Sequence, residues 1–215
     1  MATIGVVLSG CGVYDGAEVH EATLTLYFLD KAGADIRCMA PDVPQMHVID
    51  HRAGEPVDGE RNVLVESARI ARGEITDMAA VTARDVDAVI FPGGFGAAKN
   101  LCDFAVAGAG CTVHPEVTRL ITEMKQAEKP LGFICIAPVI AAKVLGATVT
   151  IGNDEGTASA IQSMGGTHVV APVDGIVIDK ENRVVSTPAY MLGPTISHVA
   201  RGIEKLVTQV LSMTA

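Results

Sequence analysis

The sequence predicts an α/β protein, a mostly parallel sheet covered on both faces by helices, and three observations carry that prediction. Strand-like and helix-like segments alternate along almost the whole chain. Residues 87–91 and 130–134 are continuous apolar runs, the pattern of central strands buried on both faces. The exits of the strands carry small and polar residues, as in Ser9-Gly10-Cys11-Gly12 and Pro92-Gly93-Gly94, where a loop turns into a helix.

Residues 4–8 read as the first strand and 17–32 as a helix stopped by Gly33. A second strand at 35–39 leads into a stretch bearing Pro, His and Gly from 41 to 59, a surface excursion with room for a short hairpin or a lid. Residues 63–72 look helical up to Gly73. Strand 87–91 precedes a segment, 95–110, whose pattern does not decide between helix and loop; helix 115–128, strand 130–134 and helix 137–145 follow. Further strand signals lie at 148–151, 168–170, 176–178 and 183–186, with a hairpin turn at 179–182, and a final helix spans 195–213. Neither repeats nor linkers interrupt the pattern, so residues 1–215 are read as one domain.

Composition narrows the function classes. Hydrophobic residues make up 49% of the chain and aromatics only 4%, so the core is built from aliphatic residues and alanine. A net charge of −9 with no basic stripe argues against a nucleic-acid partner, which needs a cationic face for phosphates. Apolar runs fall short of the roughly 20 residues of a membrane span. Met1-Ala2-Thr3 stands directly before the first strand and leaves no room for a signal peptide. The expected location is the cytoplasm, or an organelle matrix if a targeting segment has been removed. Cysteines 11, 38, 102, 111 and 135 form no CxxC pair, which suits a reducing compartment rather than a disulfide scaffold. His47 and His51 are four residues apart but lie in what reads as a surface loop, and HExxH is absent; no metal and no cofactor are expected.

Three segments carry candidate chemistry. Gly132-Phe133-Ile134-Cys135-Ile136-Ala137-Pro138 is an apolar strand ending at a cysteine that opens a helix. Unpaired N–H groups and the helix dipole at such a junction favour a thiolate, and the arrangement is that of a nucleophile elbow. Ala137 supplies the small residue an elbow prefers downstream, whereas Phe133 departs from it upstream. The same cysteine also suits a buried structural role, and the strand by itself does not separate the two. Gly93 and Gly94 form a turn whose amides can serve as half of an oxyanion hole, the other half being the Ile136 amide; a tight turn without a ligand is the plainer reading. Glu18 and Glu21 stand one turn apart at the start of the first helix, where acids are ordinarily solvated dipole partners but where a parallel sheet also points them towards the neighbouring strand exits.

Together these segments resemble a known family. Val7-Leu8-Ser9-Gly10-Cys11-Gly12-Val13-Tyr14-Asp15-Gly16 with His20-Glu21, Phe91 through Leu101, Gly132 through Pro138, and Thr187-Pro188-Ala189-Tyr190-Met191-Leu192 are similar to the ElbB proteins. That is the enhancing-lycopene-biosynthesis or isoprenoid-biosynthesis group with an amidotransferase-like domain, within the PfpI-like superfamily. The likeness runs over almost the full length, and four motifs in the same order make it specific. It implies a flavodoxin-like three-layer sandwich, a nucleophilic Cys135, a helix glutamate bonded to its sulfur, and glutathione-independent glyoxalase activity on small 2-oxoaldehydes. In the superfamily that glutamate precedes the helix end by about three turns, which counts back from Lys31-Ala32-Gly33 to Glu21 rather than Glu18. Gly12, Glu18, Phe95, Asn100 and Tyr190 are the further candidates for a substrate pocket, and a homodimer is expected because the superfamily commonly pairs.

Two departures limit what the resemblance implies. Protease-like members carry a histidine directly after the cysteine, where this chain has Ile136. Glutamine amidotransferases place a His-x-Glu pair after the nucleophile, whereas His114-Pro115-Glu116 precedes Cys135 and suits a helix start. Neither peptidase nor glutaminase activity is therefore expected. The expected reaction is a lyase type: Cys135 attacks the aldehyde of methylglyoxal or glyoxal, the amides of Gly94 and Ile136 hold the oxyanion, and Glu21, kept protonated by burial beside an anion, moves the proton. An alternative from another class is a redox or electrophile sensor in which Cys135 reacts once per chain.

Overall fold

The computed structural model describes residues 1–214, so the last residue of the predicted domain 1–215 lies outside the described residues. Strand β1 (Thr3–Val7) leads to helix α1 (Val19–Lys31), then β2 (Asp35–Ala40), a small hairpin of β3 (Ile49–Asp50) and β4 (Glu55–Pro56), helix α2 (Val63–Ile70) and edge strand β5 (Thr76–Asp77). Next come β6 (Ala88–Phe91), short helices α3 (Phe95–Lys99) and α4 (Phe104–Ala107), helix α5 (Pro115–Gln126), β7 (Leu131–Ile134) and α6 (Pro138–Leu145). The chain closes with β8 (Thr148–Val149), α7 (Glu155–Ser163), β9 (Thr167–His168), β10 (Val177–Asp179), β11 (Val184–Thr187) and α8 (Ile196–Ser212).

Seven strands form one sheet in the order β10-β11-β7-β6-β1-β2-β5. Every pairing in it is parallel except β10 with β11, the hairpin read at 179–182. This is the flavodoxin-like sandwich. Its centre obeys the alternation that two covered faces require. Val89, Phe91, Leu131 and Phe133 face a core shared with α5 and α6, while Ala88, Ile90, Ile134 and Val185 face one shared with α1 and α8. Helix α8 shows why it lies where it does: Val199, Ile203, Leu206 and Val210 recur at helical spacing and are all fully buried. Each such burial contributes about 1.5–3 kcal/mol before entropy is charged against it. Gly132 in β7 is a packing residue, since a Cβ there would stand 3.0 Å from Leu206 of α8.

The periphery differs from the sequence reading. The excursion at 41–59 does contain a hairpin, but β8 and β9 keep only two residues each and pair with one another outside the main sheet. Short runs rich in Thr and Val satisfy a strand pattern whether or not the main sheet has an edge to receive them. Helix α7 went unread, and the undecided segment 95–110 is two short helices and a 3-10 turn.

Because β1, β6, β7 and β11 are parallel, their carboxyl ends open on one edge of the sheet. The order reverses between β1, whose next strand lies on one side, and β6 on the other. In open α/β sheets that reversal leaves a crevice at the carboxyl ends.

Candidate active site

Strand β7 delivers Cys135 to that crevice. The cysteine's own N–H still bonds the Thr187 carbonyl of β11 at 3.0 Å, so the residue is held by the sheet up to the point where the chain turns. The turn itself is sharp: Cys135 has φ +63°, a left-handed conformation that costs a non-glycine residue of order 1 kcal/mol or more. Pro138 then opens α6 at its first position. This is an elbow, and Phe133 does not prevent it, because its ring stacks on Phe91 of the adjacent strand, 4.7 Å between centroids, and points away from the crowded turn into the α5–α6 core.

Helix α1 supplies the facing carboxyl. Glu18 is the N-cap, its Oε2 accepting the Glu21 N–H at 2.7 Å, and Glu21 in the first turn is fully buried. Glu21 accepts the Gly93 N–H on Oε2 at 3.0 Å and the Tyr190 N–H on Oε1 at 3.2 Å, and its carboxyl stands with Cys135 against Gly93, close enough for thiol and carboxyl to shift each other's titration. Burial pushes the Glu21 carboxyl up to about 8 and the Glu18 carboxylate pushes the same way, against the N–H groups and the thiol that favour the anion. At neutral pH Glu21 therefore carries a proton. Glu18 lies one turn away on the pocket side and serves α1 as its cap.

The sulfur is not the ready thiolate that a helix start suggests. Burial, then the charge of an ionised Glu21, drive the Cys135 thiol well above its ordinary range, and the Gly94 and Ile136 amides that point at it only partly offset this. Helix-start N–H groups lower a thiol pKa when water reaches it; at 8% exposure the lost solvation dominates. The repulsion from Glu21 vanishes once Glu21 is protonated, so thiol and carboxyl titrate as one pair.

Glycines make the approach possible. A Cβ on Gly93 would lie 2.4 Å from the Cys135 Cβ and 2.7 Å from Glu21 Oε2. Gly94 has φ +92° and a Cβ there would meet the Glu18 nitrogen at 2.4 Å. Tyr190 reaches Glu21 because Ala189 before it is also left-handed, at φ +44°.

A pocket of about 420 Å³ opens beside the sulfur. Among the predicted residues, Glu18, Gly94, Phe95, Cys135, Ile136 and Tyr190 line it. Gly12, Gly93, Asn100 and the fully buried Glu21 do not. Gly12 sits behind the wall, where a Cβ would strike the His51 ring. The Gly93 N–H is spent on Glu21, which removes it from the oxyanion donors. Asn100 joins loops, its amide donating to the Ser9 and Asp15 carbonyls and its Oδ1 accepting from Met46 N. Val13, Ala98, Phe104, Ala105, Met191 and, at the start of α7, Asp154 and Thr157 complete the lining and were missed. Asp154 preceding Glu155 is an N-cap signature that marks the start of α7, as its 2.7 Å bond from Thr157 N shows. A larger surface hollow around Thr82, Arg84 and Glu123 lies at the amino ends of β6 and β7 and holds no nucleophile. No group of three or more metal-ligating side chains occurs among the described residues.

Against known proteins, no family model matches the chain. It is 53% identical to the human glutamine amidotransferase-like class 1 domain-containing protein 3, mitochondrial, over 99% of this chain and 84% of that protein. The solved structure of an isoprenoid biosynthesis protein with amidotransferase-like domain from Ehrlichia chaffeensis superposes with a TM-score of 0.93 at 35% identity, covering 100% of both chains. A ThiJ/PfpI domain protein from Brachyspira murdochii, 15% identical with a TM-score of 0.60 over 98% of this chain and 95% of its own, shares the fold. With that identity over that coverage, the chain belongs to the ElbB family of glutamine amidotransferase-like class 1 domain proteins.

Proposed function

We propose that the protein is a glutathione-independent glyoxalase that converts 2-oxoaldehydes to 2-hydroxy acids. The observation that supports this most is the pairing of buried Glu21 with the elbow cysteine, beside a pocket that no histidine among the described residues lines. A hydrolytic Cys–His pair has no base here, whereas a buried carboxyl that gains and loses a proton near neutrality suits hydrogen transfer between adjacent carbons.

The active form is the pair holding a single proton. In it Glu21 is the carboxylate, and it takes the thiol proton as the substrate arrives, leaving a thiolate beside the Gly94 and Ile136 amides and the new Glu21 O–H. The thiolate adds to the aldehyde carbon, and the carbonyl oxygen takes the Glu21 proton as the hemithioacetal forms. Glu21, now a carboxylate, removes the C1 hydrogen to give an enediol and returns a proton to C2. C1 is oxidised to a thioester as C2 is reduced to an alcohol, so no external oxidant enters. Water then splits the thioester, releasing the hydroxy acid and the thiol. Neither metal nor nucleotide takes part in this scheme. A sensor that relies on a free-standing thiolate is less well supported, because burial holds the resting thiol protonated.

The deciding experiment is steady-state consumption of methylglyoxal without glutathione, beside Cys135→Ser. Turnover in the native protein and none in a folded variant supports the reading; equal activity in the variant removes it. We further propose a homodimer, checked by light scattering at micromolar concentration, where a monomer alone would refute it. The mitochondrial name of the human relative supports an organelle matrix over the cytoplasm for this chain. No helix of the described residues is long and apolar enough to cross a membrane.

A further inference from the structure

The pocket beside Cys135 is large and apolar for the smallest 2-oxoaldehydes. Its wall is formed by Val13, Phe95, Phe104, Ile136 and Met191, and its volume of about 420 Å³ falls within the range of sites for drug-sized molecules rather than for a three-carbon substrate. Among the described residues the carboxyl side chains in the lining are Glu18 and Asp154, and no lysine, arginine or histidine joins them. Lys99 stands near Phe95 but is engaged elsewhere: its ammonium donates to the Tyr14 carbonyl at 2.9 Å and lies 5.1 Å from the Phe95 ring centroid. An anionic substrate would meet the buried Glu18 carboxyl and, at the exposed rim, Asp154, with no counter-charge in the lining; burial strengthens the repulsion at Glu18. An uncharged chain would cover aliphatic and aromatic surface.

We propose that the preferred substrate is an uncharged 2-oxoaldehyde carrying an extended alkyl or aryl group on its ketone carbon, with the group seated against Phe95, Phe104 and Met191. This rests on the glyoxalase reading for the reaction and on the pocket alone for the selectivity. The chemistry is unchanged: C1 is oxidised and C2 reduced within the substrate, and water releases the acid.

Three aldehydes test it: methylglyoxal, 2-oxooctanal and the anionic 4,5-dioxopentanoate. Each buried methylene is worth roughly fourfold, so kcat/KM for 2-oxooctanal should exceed that for methylglyoxal by at least about tenfold, with 4,5-dioxopentanoate below both. Phe104→Ser should lower kcat/KM for 2-oxooctanal by far more than it lowers that for methylglyoxal, erasing most of the advantage. Methylglyoxal equal to or better than 2-oxooctanal, or the anion best of the three, overturns the proposal. A second measurement separates it from the reaction itself. Alkylation of Cys135 by N-hexyl iodoacetamide, iodoacetamide and iodoacetate, each normalised to its rate with free glutathione, should fall in that order. If no aldehyde turns over yet this order holds, the glyoxalase reading fails and the selectivity stands; if the order is absent, the selectivity fails whatever the turnover.

Discussion

A methyl group on Gly93 would stand 2.4 Å from the Cβ of Cys135, closer than any real pair of such atoms, so the cysteine is seated against a backbone that must lack a side chain. The same methyl would press on Glu21 Oε2 and on the Ile134 carbonyl at 2.8 Å. Gly93→Ala therefore has no flexible neighbour to displace. Its expected cost is about 1–3 kcal/mol of stability from overpacking and about 10²-fold in kcat/KM from displacing the pair. Thermal melting together with methylglyoxal turnover checks both, and a variant with native activity would show that the thiol and carboxyl tolerate separation.

The two glutamates separate by role. Glu21→Gln keeps the shape and the acceptor for Tyr190 N–H or Gly93 N–H but cannot move a proton, so kcat should fall by about 10²- to 10⁴-fold. Glu18→Gln retains an oxygen to cap α1 and should fold normally. It also removes the charge that helps hold the Glu21 proton, so the pH profile should shift towards acid with the maximum rate nearly kept. If Glu18→Gln is the crippling change and Glu21→Gln is silent, the proton carrier is misassigned.

Tyr190 acts on Glu21 through its backbone. Its N–H reaches Oε1, while its hydroxyl bonds His20 Nδ1 at 2.8 Å, outside the Glu21–Cys135 contact. Tyr190→Phe should therefore change kcat by less than about threefold, the loss of one largely exposed neutral hydrogen bond. A hundredfold drop would put the hydroxyl in the chemistry.

Much of this arrangement was legible in the sequence, and what was not has identifiable causes. The central strands could be read because burial on both faces leaves an uninterrupted apolar run, as in residues 88–91 and 131–134. Cys135 could be placed because strand and helix signals meet at it. Asn100 misled because an asparagine beside a glycine loop looks the same whether it faces a ligand or ties Ser9 and Asp15 together. The protonation of Cys135 was misjudged for a different reason. A helix start is visible in sequence, but the burial that outweighs it depends on α1 and the 188–191 segment closing over the sulfur from far along the chain. The left-handed backbone at Ala189 left no trace, since alanine carries no preference for it.

Activity and stability should move in opposite directions as pH rises from 5 to 8. Glu21 is raised from an ordinary 4.5 to about 8. Below pH 4.5 folded and unfolded chains both hold its proton. Between there and about 8 the unfolded chain has released the proton while the folded one keeps it, so stability falls with pH; above about 8 both have released it and this group adds no further slope. Over the same interval the one-proton form of the Glu21–Cys135 pair accumulates, so kcat/KM should rise about tenfold per pH unit and level near 8. Glu21→Gln removes the titrating group and with it that part of the stability slope. Urea unfolding at pH 5, 6.5 and 8 should show the variant gaining on the native protein with each step. A constant difference between the two would mean that Glu21 is ionised in the folded state throughout, leaving no proton to deliver to the hemithioacetal oxygen.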